Sequence, residues 1–436
     1  MRSRLMQNRL VPRMLRVPLV LAVVMATGCT KTPRETGSVR DTNSDSDLTT
    51  SEISPGRNAG LGERSYKSVA QKVVVQSARI KPGDMVLITG SEKDLPLLED
   101  ISIEVQKQGG SSLVSVGSAG LDRRIFDEVP AQYDTVTPKA MLKLAGLFDV
   151  FIGTESFEAA TLKGVPPERL AARGKAFNPV VDLMQKRGVR RVFLGNGLYP
   201  SEGNSKQYDV SRRDLADALY SGVDVDYAEL QRNGERIRQT LAASKALRIT
   251  APNGTDLRVQ IAGRPVLVSD GVISPEDQHH GGAATSVWLP AGEVYLVPIA
   301  GSGDGVLVAD RDYYQGEPIE ELRLEFRAGK LVSMTAKSGL DPVQKQYDAA
   351  GTGRDALGVI DFGINPGLKL PAGKPVHAWS RAGMVTVVVG NNSWAGGNNK
   401  VPFGMSPFLP NATVTIDGKP LIQDGKLQAG QRMAAR

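Results

Sequence analysis

The chain has 436 residues, 41% of them hydrophobic and 23% charged, with a formal net charge of +6. Residues 1–28 hold five arginines and no acid, so the rest carries 6 − 5 = +1 and the basic excess belongs to the N-terminal end. With no basic run interleaved with aromatics, nucleic-acid binding is excluded as a reading, and a single cysteine, Cys29, excludes an internal disulfide.

The first predicted element, residues 1–28, is an export signal. Arg2, Arg4, Arg9, Arg13 and Arg16 precede the apolar run VPLVLAVVMATG, which is too short to span a bilayer as a stable helix. The run ends at Cys29, and MATGC resembles a bacterial lipobox with Ala26 where Leu is usual. Cys29 is therefore the expected lipidation site; each buried methylene of an acyl chain adds ~0.8 kcal/mol of membrane affinity. Residues 29–62, rich in Ser, Thr, Asp and Gly, have too little apolar surface to fold and are expected to be a disordered tether. The expectation is a protein anchored at a bacterial cell envelope, on the periplasmic side or the cell surface. The roughly 370 residues beyond the tether suffice for two domains.

Residues 63–225 read as alternating strands and helices. GDMVLITG (83–90) is an apolar, β-branched burst after Lys81-Pro82-Gly83-Asp84, and LPLLEDISIEVQKQGG (95–110) has helical spacing with a glycine stop. SSLVSVGS (111–118), FDVFIGTES (148–156) and VRRVFLGNG (189–197) are further strands, the last two separated by the helical AFNPVVDLMQKRG (176–188). Such alternation predicts a parallel sheet covered on both faces, a doubly wound α/β domain of flavodoxin or Rossmann type. The loops ITGSEKD (88–94) and FLGNGLYPSEGN (193–204) lack the full glycine spacing of a dinucleotide site and the Gly-Lys-Ser/Thr of a phosphate loop, so they read as strand-end turns.

A connecting amphipathic helix is expected over 226–248, centred on about 226–244. Beyond it, residues 249–436 change character: EVYLVPIAG, DGVLVAD, ELRLEFRAGKLVSMTA, GMVTVVVGNN and ATVTIDGKPLIQDGKL are strands punctuated by Gly, Asp and Pro. Hairpin turns fall at Pro252-Asn253-Gly254 and Ala328-Gly329-Lys330. The second domain is read as β-rich α+β.

Across nearly the whole chain after residue 64, an ordered set of segments, among them LRITAPNGTDLRVQIAGR, LPAGEVYLVPIAGSGDGVLVAD, GINP, VVVGNN, GGNNK and TIDGK, resembles the metallo-aminopeptidases typified by aminopeptidase T and aminopeptidase S. The resemblance implies an α/β domain before a β-rich catalytic domain, a homodimer, and two divalent ions such as Zn, Co or Mn in the second domain. Carried over position by position, it places the first metal ligand at Glu293 in LPAGE. The second ligand position is Val359 in LGVIDFGINP, and a histidine position is Thr386. A tyrosine position falls on Ser393, and a His-x-Asp pair on Gly404 and Ser406.

Chemistry gives that pattern its meaning. Two divalent ions ~3.5–4 Å apart repel each other and are held only by several carboxylates and imidazoles. Val and Gly donate nothing, and neutral hydroxyls are at most auxiliary ligands. Asp361, two residues from Val359 and so on the same face of a strand, is the candidate replacement, or else a strand-end residue bonding nearby backbone. Of the three histidines, His279 and His280 fall in PEDQHHGG, where Asp277 and His279 could share one side of a short extended piece; that stretch reads more simply as a solvated loop. His377 reads as structural. VVGNNSWAGGNNK is either a cavity-lining loop or a hairpin connection. The sequence reading is an exported, lipid-anchored relative of these aminopeptidases with metal ligands Glu293 and Asp361 at most and no required cofactor. It would bind a peptide ligand or assemble at the envelope. The alternative is an active metal-dependent aminopeptidase with a rearranged site.

Overall fold

The computed structural model describes residues 66–156, 164–314 and 316–428. The export signal, Cys29 and the tether lie outside the described residues.

The first half follows the alternation in the sequence. Helix α1 (Lys67–Gln71) continues as a wider turn over Lys72–Ser77 and leads into β1 (Met85–Ser91). Then come α2 (Leu95–Lys107), β2 (Ser111–Gly117), α3 (Ala119–Glu128), α4 (Lys139–Ala145), β3 (Val150–Thr154), α5 (Pro167–Lys186) and β4 (Arg190–Leu194). Helix α5 starts at Pro167 rather than Ala176, because proline fits the first helical turn, where its missing N–H costs nothing. Three helices follow: α6 (Glu202–Tyr208), α7 (Arg212–Val223) and the expected connecting helix, α8 (Tyr227–Ala242), started by Asp226, which accepts from the Ala228 and Glu229 amides.

The second half is mostly strand: β5 (Ala246–Thr250), β6 (Asp256–Gln260), β7 (Val266–Ser269), the short helix α9 (Pro275–His280), β8 (Ser286–Leu289), β9 (Glu293–Leu296), β10 (Asp304–Tyr314), β11 (Glu317–Arg327) and β12 (Lys330–Thr335). Helix α10 (Asp341–Ala349) precedes β13 (Leu357–Gly363), β14 (Val385–Gly390), β15 (Gly404–Met405), β16 (Phe408–Leu409), β17 (Thr413–Ile416), β18 (Lys419–Gln423) and β19 (Lys426–Leu427). One local expectation fails here. PEDQHH is a helix and not an extended piece, since Ser274 and Asp277 form a reciprocal cap around Pro275 at the first turn.

The strands form one parallel and two antiparallel sheets, so the chain is a mixed α/β protein. The parallel sheet has the order β2-β1-β3-β4-β8. Its edge strand, β8, comes from inside the stretch read from sequence as the β-rich domain. On β1, Val86 and Ile88 pack with Leu97, Leu98, Ile101 and Val105 of α2, while Leu87 packs with Met141 of α4 and Phe177, Val180 and Met184 of α5. The eight-stranded sheet runs β12-β11-β10-β6-β5-β17-β18-β19. Its β11–β12 hairpin turns through Ala328 and Gly329, both at positive φ, as a tight hairpin requires. The third sheet, β15-β14-β13-β9-β7 with β16 also on β14, carries the candidate site.

Candidate functional site

The LPAGE segment is where the chain crosses between sheets. Leu289 ends β8 in the parallel sheet and Glu293 begins β9 in the third sheet. Gly292 makes the crossing at φ 120°, with Asn365 packed where a side chain would stand. Two asparagines hold the junction. Asn365 Nδ2 donates to the Gly222 carbonyl at 2.8 Å and the Ala291 carbonyl at 2.6 Å, and its Oδ1 accepts from the Gly367 amide at 2.9 Å. Asn196, in the loop after β4, donates to the Pro290 carbonyl and to Glu293 Oε1, both at 2.9 Å. Glu293 is fully buried.

Strand alternation sorts the third sheet into two faces. Ile360 and Phe362 of β13 and Val385, Val387 and Val389 of β14 enter the main core. The opposite face carries Val359 and Asp361 of β13, Thr386 and Val388 of β14, and Glu293, Tyr295 and Val297 from β9 onward. Asp361 therefore shares a face with Val359, as expected, and also with Glu293, but Asp361 and Glu293 are diagonal neighbours and not opposite: Glu293 faces Gly363, and Asp361 faces Tyr295. The space over Gly363 is taken by backbone, because a Cβ there would collide with the carbonyl oxygens of Trp379 and Arg381.

One cross-strand row defines the centre of this face. Tyr295, Asp361, Thr386 and Phe408 stand side by side on β9, β13, β14 and β16. Asp361 and Thr386 are fully buried, and the Thr386 hydroxyl meets no hydrogen-bond partner among the described residues. Around them lies an apolar cluster of Val297, Val359, Trp379, Met384, Val388 and Phe408, with half-buried Tyr295 and Trp394 against it. Four rings form a continuous arc: Tyr295 to Trp394 at 5.5 Å between centroids, Trp394 to Trp379 at 6.3 Å and perpendicular, and Trp379 to Phe408 at 5.3 Å.

The other ligand positions supply little. Ser393 donates its hydroxyl to Asn391 Oδ1 at 2.9 Å, Gly404 is an exposed residue of β15, and Ser406 is buried but neutral. The asparagines of the Gly-Asn-rich loop close the connection between β14 and β15: Asn391 holds the Val401 carbonyl, and Asn399 holds those of Gly353 and Gly390. His279 and His280 are exposed at the end of α9, with His280 Nδ1 2.9 Å from the Glu276 carbonyl. His377 is buried with its ring 5.0 Å from that of Phe408 and Nδ1 3.9 Å from Asp312 Oδ1. Burial, and then the nearby Arg311, push its pKa down to about 4. Among the described residues no group of three or more His, Cys, Asp or Glu could hold a metal.

A two-metal centre does not fit this donor set. Val359 is part of an apolar wall, Glu293 Oε1 is engaged by Asn196, and neither Thr386 nor Ser393 brings charge. Period-two spacing from Glu293 points to Tyr295, which the sequence reading passed over; Asn196, Trp379, Trp394 and Phe408 come from distant segments and carried no such signal.

A family model described as thermophilic metalloprotease (M29) matches residues 63–358. That span includes Glu293 and stops one residue short of Val359. Wild-type AmpT from Thermus thermophilus has a similar fold, with a TM-score of 0.65 at 17% identity, covering 84% of this chain and 99% of that one. A 2,5-dihydroxypyridine dioxygenase from Pseudomonas putida KT2440 is also similar, with a TM-score of 0.53 at 14% identity, covering 84% of this chain and 97% of that one. No curated protein matches the chain.

Proposed function

The chain belongs to the thermophilic metalloprotease (M29) family, and from that premise we propose a non-catalytic member whose ancestral metal site has become an apolar, aromatic cluster. In this reading the first sheet is a doubly wound α/β domain and the other two build the aminopeptidase-like domain. Residues 1–28 direct export, lipidated Cys29 anchors the protein to a membrane of a bacterial cell envelope, and the folded part acts there by binding a peptide or other ligand, or by assembly as a homodimer. Among the described residues no helix is long and apolar enough to cross a membrane.

The observation that carries the reading is the packing of Val359 with Trp379, Met384, Val388 and Phe408 at the second ligand position. An apolar wall there leaves a divalent ion without the neutralising donors that hold it against its own hydration. The test is metal content and aminopeptidase activity of the purified full-length chain, prepared without chelator and then offered Zn²⁺, Co²⁺ and Mn²⁺. The expected result is no stoichiometric metal and no release of N-terminal residues from peptides. Stoichiometric metal that disappears in Asp361→Asn, with peptide hydrolysis, would overturn it in favour of an active enzyme using Glu293 and Asp361.

A further inference from the structure

We propose that the surface formed by the tight turn Ala131–Thr135 and helix α4 docks on an anionic lipid bilayer, a second membrane contact beyond the Cys29 anchor. The stretch VPAQYDTVTPKAMLKLAGLF, residues 129–148, holds two lysines and a single acid, Asp134. That acid is turned inward. Its carboxylate is buried and accepts from Arg169 Nε at 2.5 Å and from Arg173 Nε at 2.7 Å, both on α5. The turn is thereby pinned to α5 by ion pairs, and α4 is pinned to the same helix by Met141 and Ala145, which pack with Phe177, Val180 and Met184.

What these two pieces leave outward is apolar or basic. Tyr133 is 53% exposed and Val136 57%; the Val136 amide donates to the Tyr133 carbonyl at 3.1 Å, and a spacing of three in so tight a turn puts both side chains on one side. Lys139 and Lys143 are exposed on one stripe of α4, and Leu147, four residues further on and 53% exposed, extends it. The acids that flank the stretch add no free negative charge, because each is paired with an arginine: Asp127 with Arg123, Glu128 with Arg124 and Asp149 with Arg187. The complement of this surface must offer negative charge to the lysines and apolar volume to Tyr133, Val136 and Leu147. An anionic bilayer offers both across one boundary, with phosphates above, hydrocarbon below and a level between them that suits a tyrosine ring. Lysine stems can lie along the apolar part while their ammonium groups reach the phosphates. A chain tethered to the same membrane through Cys29 would meet it at high effective concentration, so a weak contact suffices.

Cys29 is the only cysteine of the chain, so full-length protein carrying Cys29→Ser can take one environment-sensitive fluorophore at Val136→Cys or, as a control, at Val332→Cys on β12, where a valine is 52% exposed. The probe is a vesicle of phosphatidylglycerol and phosphatidylcholine in equal parts, compared with phosphatidylcholine alone. A blue shift of the label at 136 is expected with the anionic vesicles, with a much smaller one for neutral vesicles and none for the label at 332. Any pull of the apolar run 17–28 on the vesicles acts on both labelled chains alike. Each lysine at an anionic surface is worth roughly fivefold in affinity, so Lys139→Gln combined with Lys143→Gln should raise the lipid needed for half of the shift at least about tenfold. Both lysines are exposed, and the melting transition checks that the variant is folded. No shift at 136, an equal shift at 332 or with neutral vesicles, or an unchanged lipid requirement in the folded lysine variant would each overturn the proposal. The tested chain carries no acyl group, and the mass of the peptide holding Cys29 in unaltered protein purified from bacteria reads lipidation separately. Acylation without docking rejects only this proposal, and docking without acylation rejects only the anchor.

Discussion

The side-chain amide of Asn196 donates to Glu293 Oε1 across 2.9 Å, joining the loop after β4 of the parallel sheet to the first residue of β9 in the third sheet. Glu293, which the family resemblance implies as a metal ligand, is a buried acceptor at the seam between two sheets.

Replacement of Glu293 should therefore be felt in stability. Glu293→Ala leaves the Asn196 amide with one fewer acceptor and opens a cavity, and should cost about 2–4 kcal/mol. Glu293→Gln keeps a carbonyl oxygen for Asn196 and should cost less than half of that. Urea unfolding of both variants, of Asn196→Ala and of the double variant Asn196→Ala with Glu293→Ala checks the pair; additive effects would show that the contact does not couple the sheets.

Reinstating a single carboxylate at the second ligand position should not restore a metal site. Val359→Glu places a charge among Trp379, Met384, Val388 and Phe408, and should destabilise by about 3 kcal/mol or more. Val359→Ala, which only leaves a cavity, should cost about 2 kcal/mol. Unfolding midpoints with and without Zn²⁺ read this out; a Zn²⁺-dependent rise in Val359→Glu would contradict it.

Gly363 lies beneath the carbonyls of Trp379 and Arg381, and a methyl group there cannot be accommodated without moving that backbone. Gly363→Ala should cost about 1–3 kcal/mol by overpacking and should alter the near-UV signal of the tryptophans, because Trp379 would shift with the segment.

His377 should make stability pH-dependent. Its pKa is pushed down to about 4 by burial and then by Arg311. The unfolded chain, with an ordinary imidazole near pH 6.5, then binds more protons than the folded one between about pH 6.5 and 4. Stability contributed by the neutral ring is full above that window and lost as pH falls through it, by on the order of 3 kcal/mol. His377→Phe should flatten the difference in unfolding free energy between pH 7 and pH 4.5; an unchanged difference would place the titration elsewhere.

Local pattern alone was enough for much of the fold. The β-branched bursts that became β1, β3 and β4, the helical spacing of α2 and α8, and the hairpin at Ala328-Gly329 are fixed by side-chain period and backbone sterics, which act within a few residues. That Val359 can bind no metal ion is likewise written in residue type, since no folding gives a valine a donor atom. What the tertiary structure decided is every relation between distant segments. It placed β8 in the parallel sheet, set Glu293 against Asn196, put Asp361 beside Tyr295 rather than opposite Glu293, and packed His377 against Phe408. It also gathered Tyr295, Trp394, Trp379 and Phe408 into one arc. Register across strands and the packing of loops over a sheet depend on the sum of many contacts between residues far apart in the chain, and no single segment contains that sum.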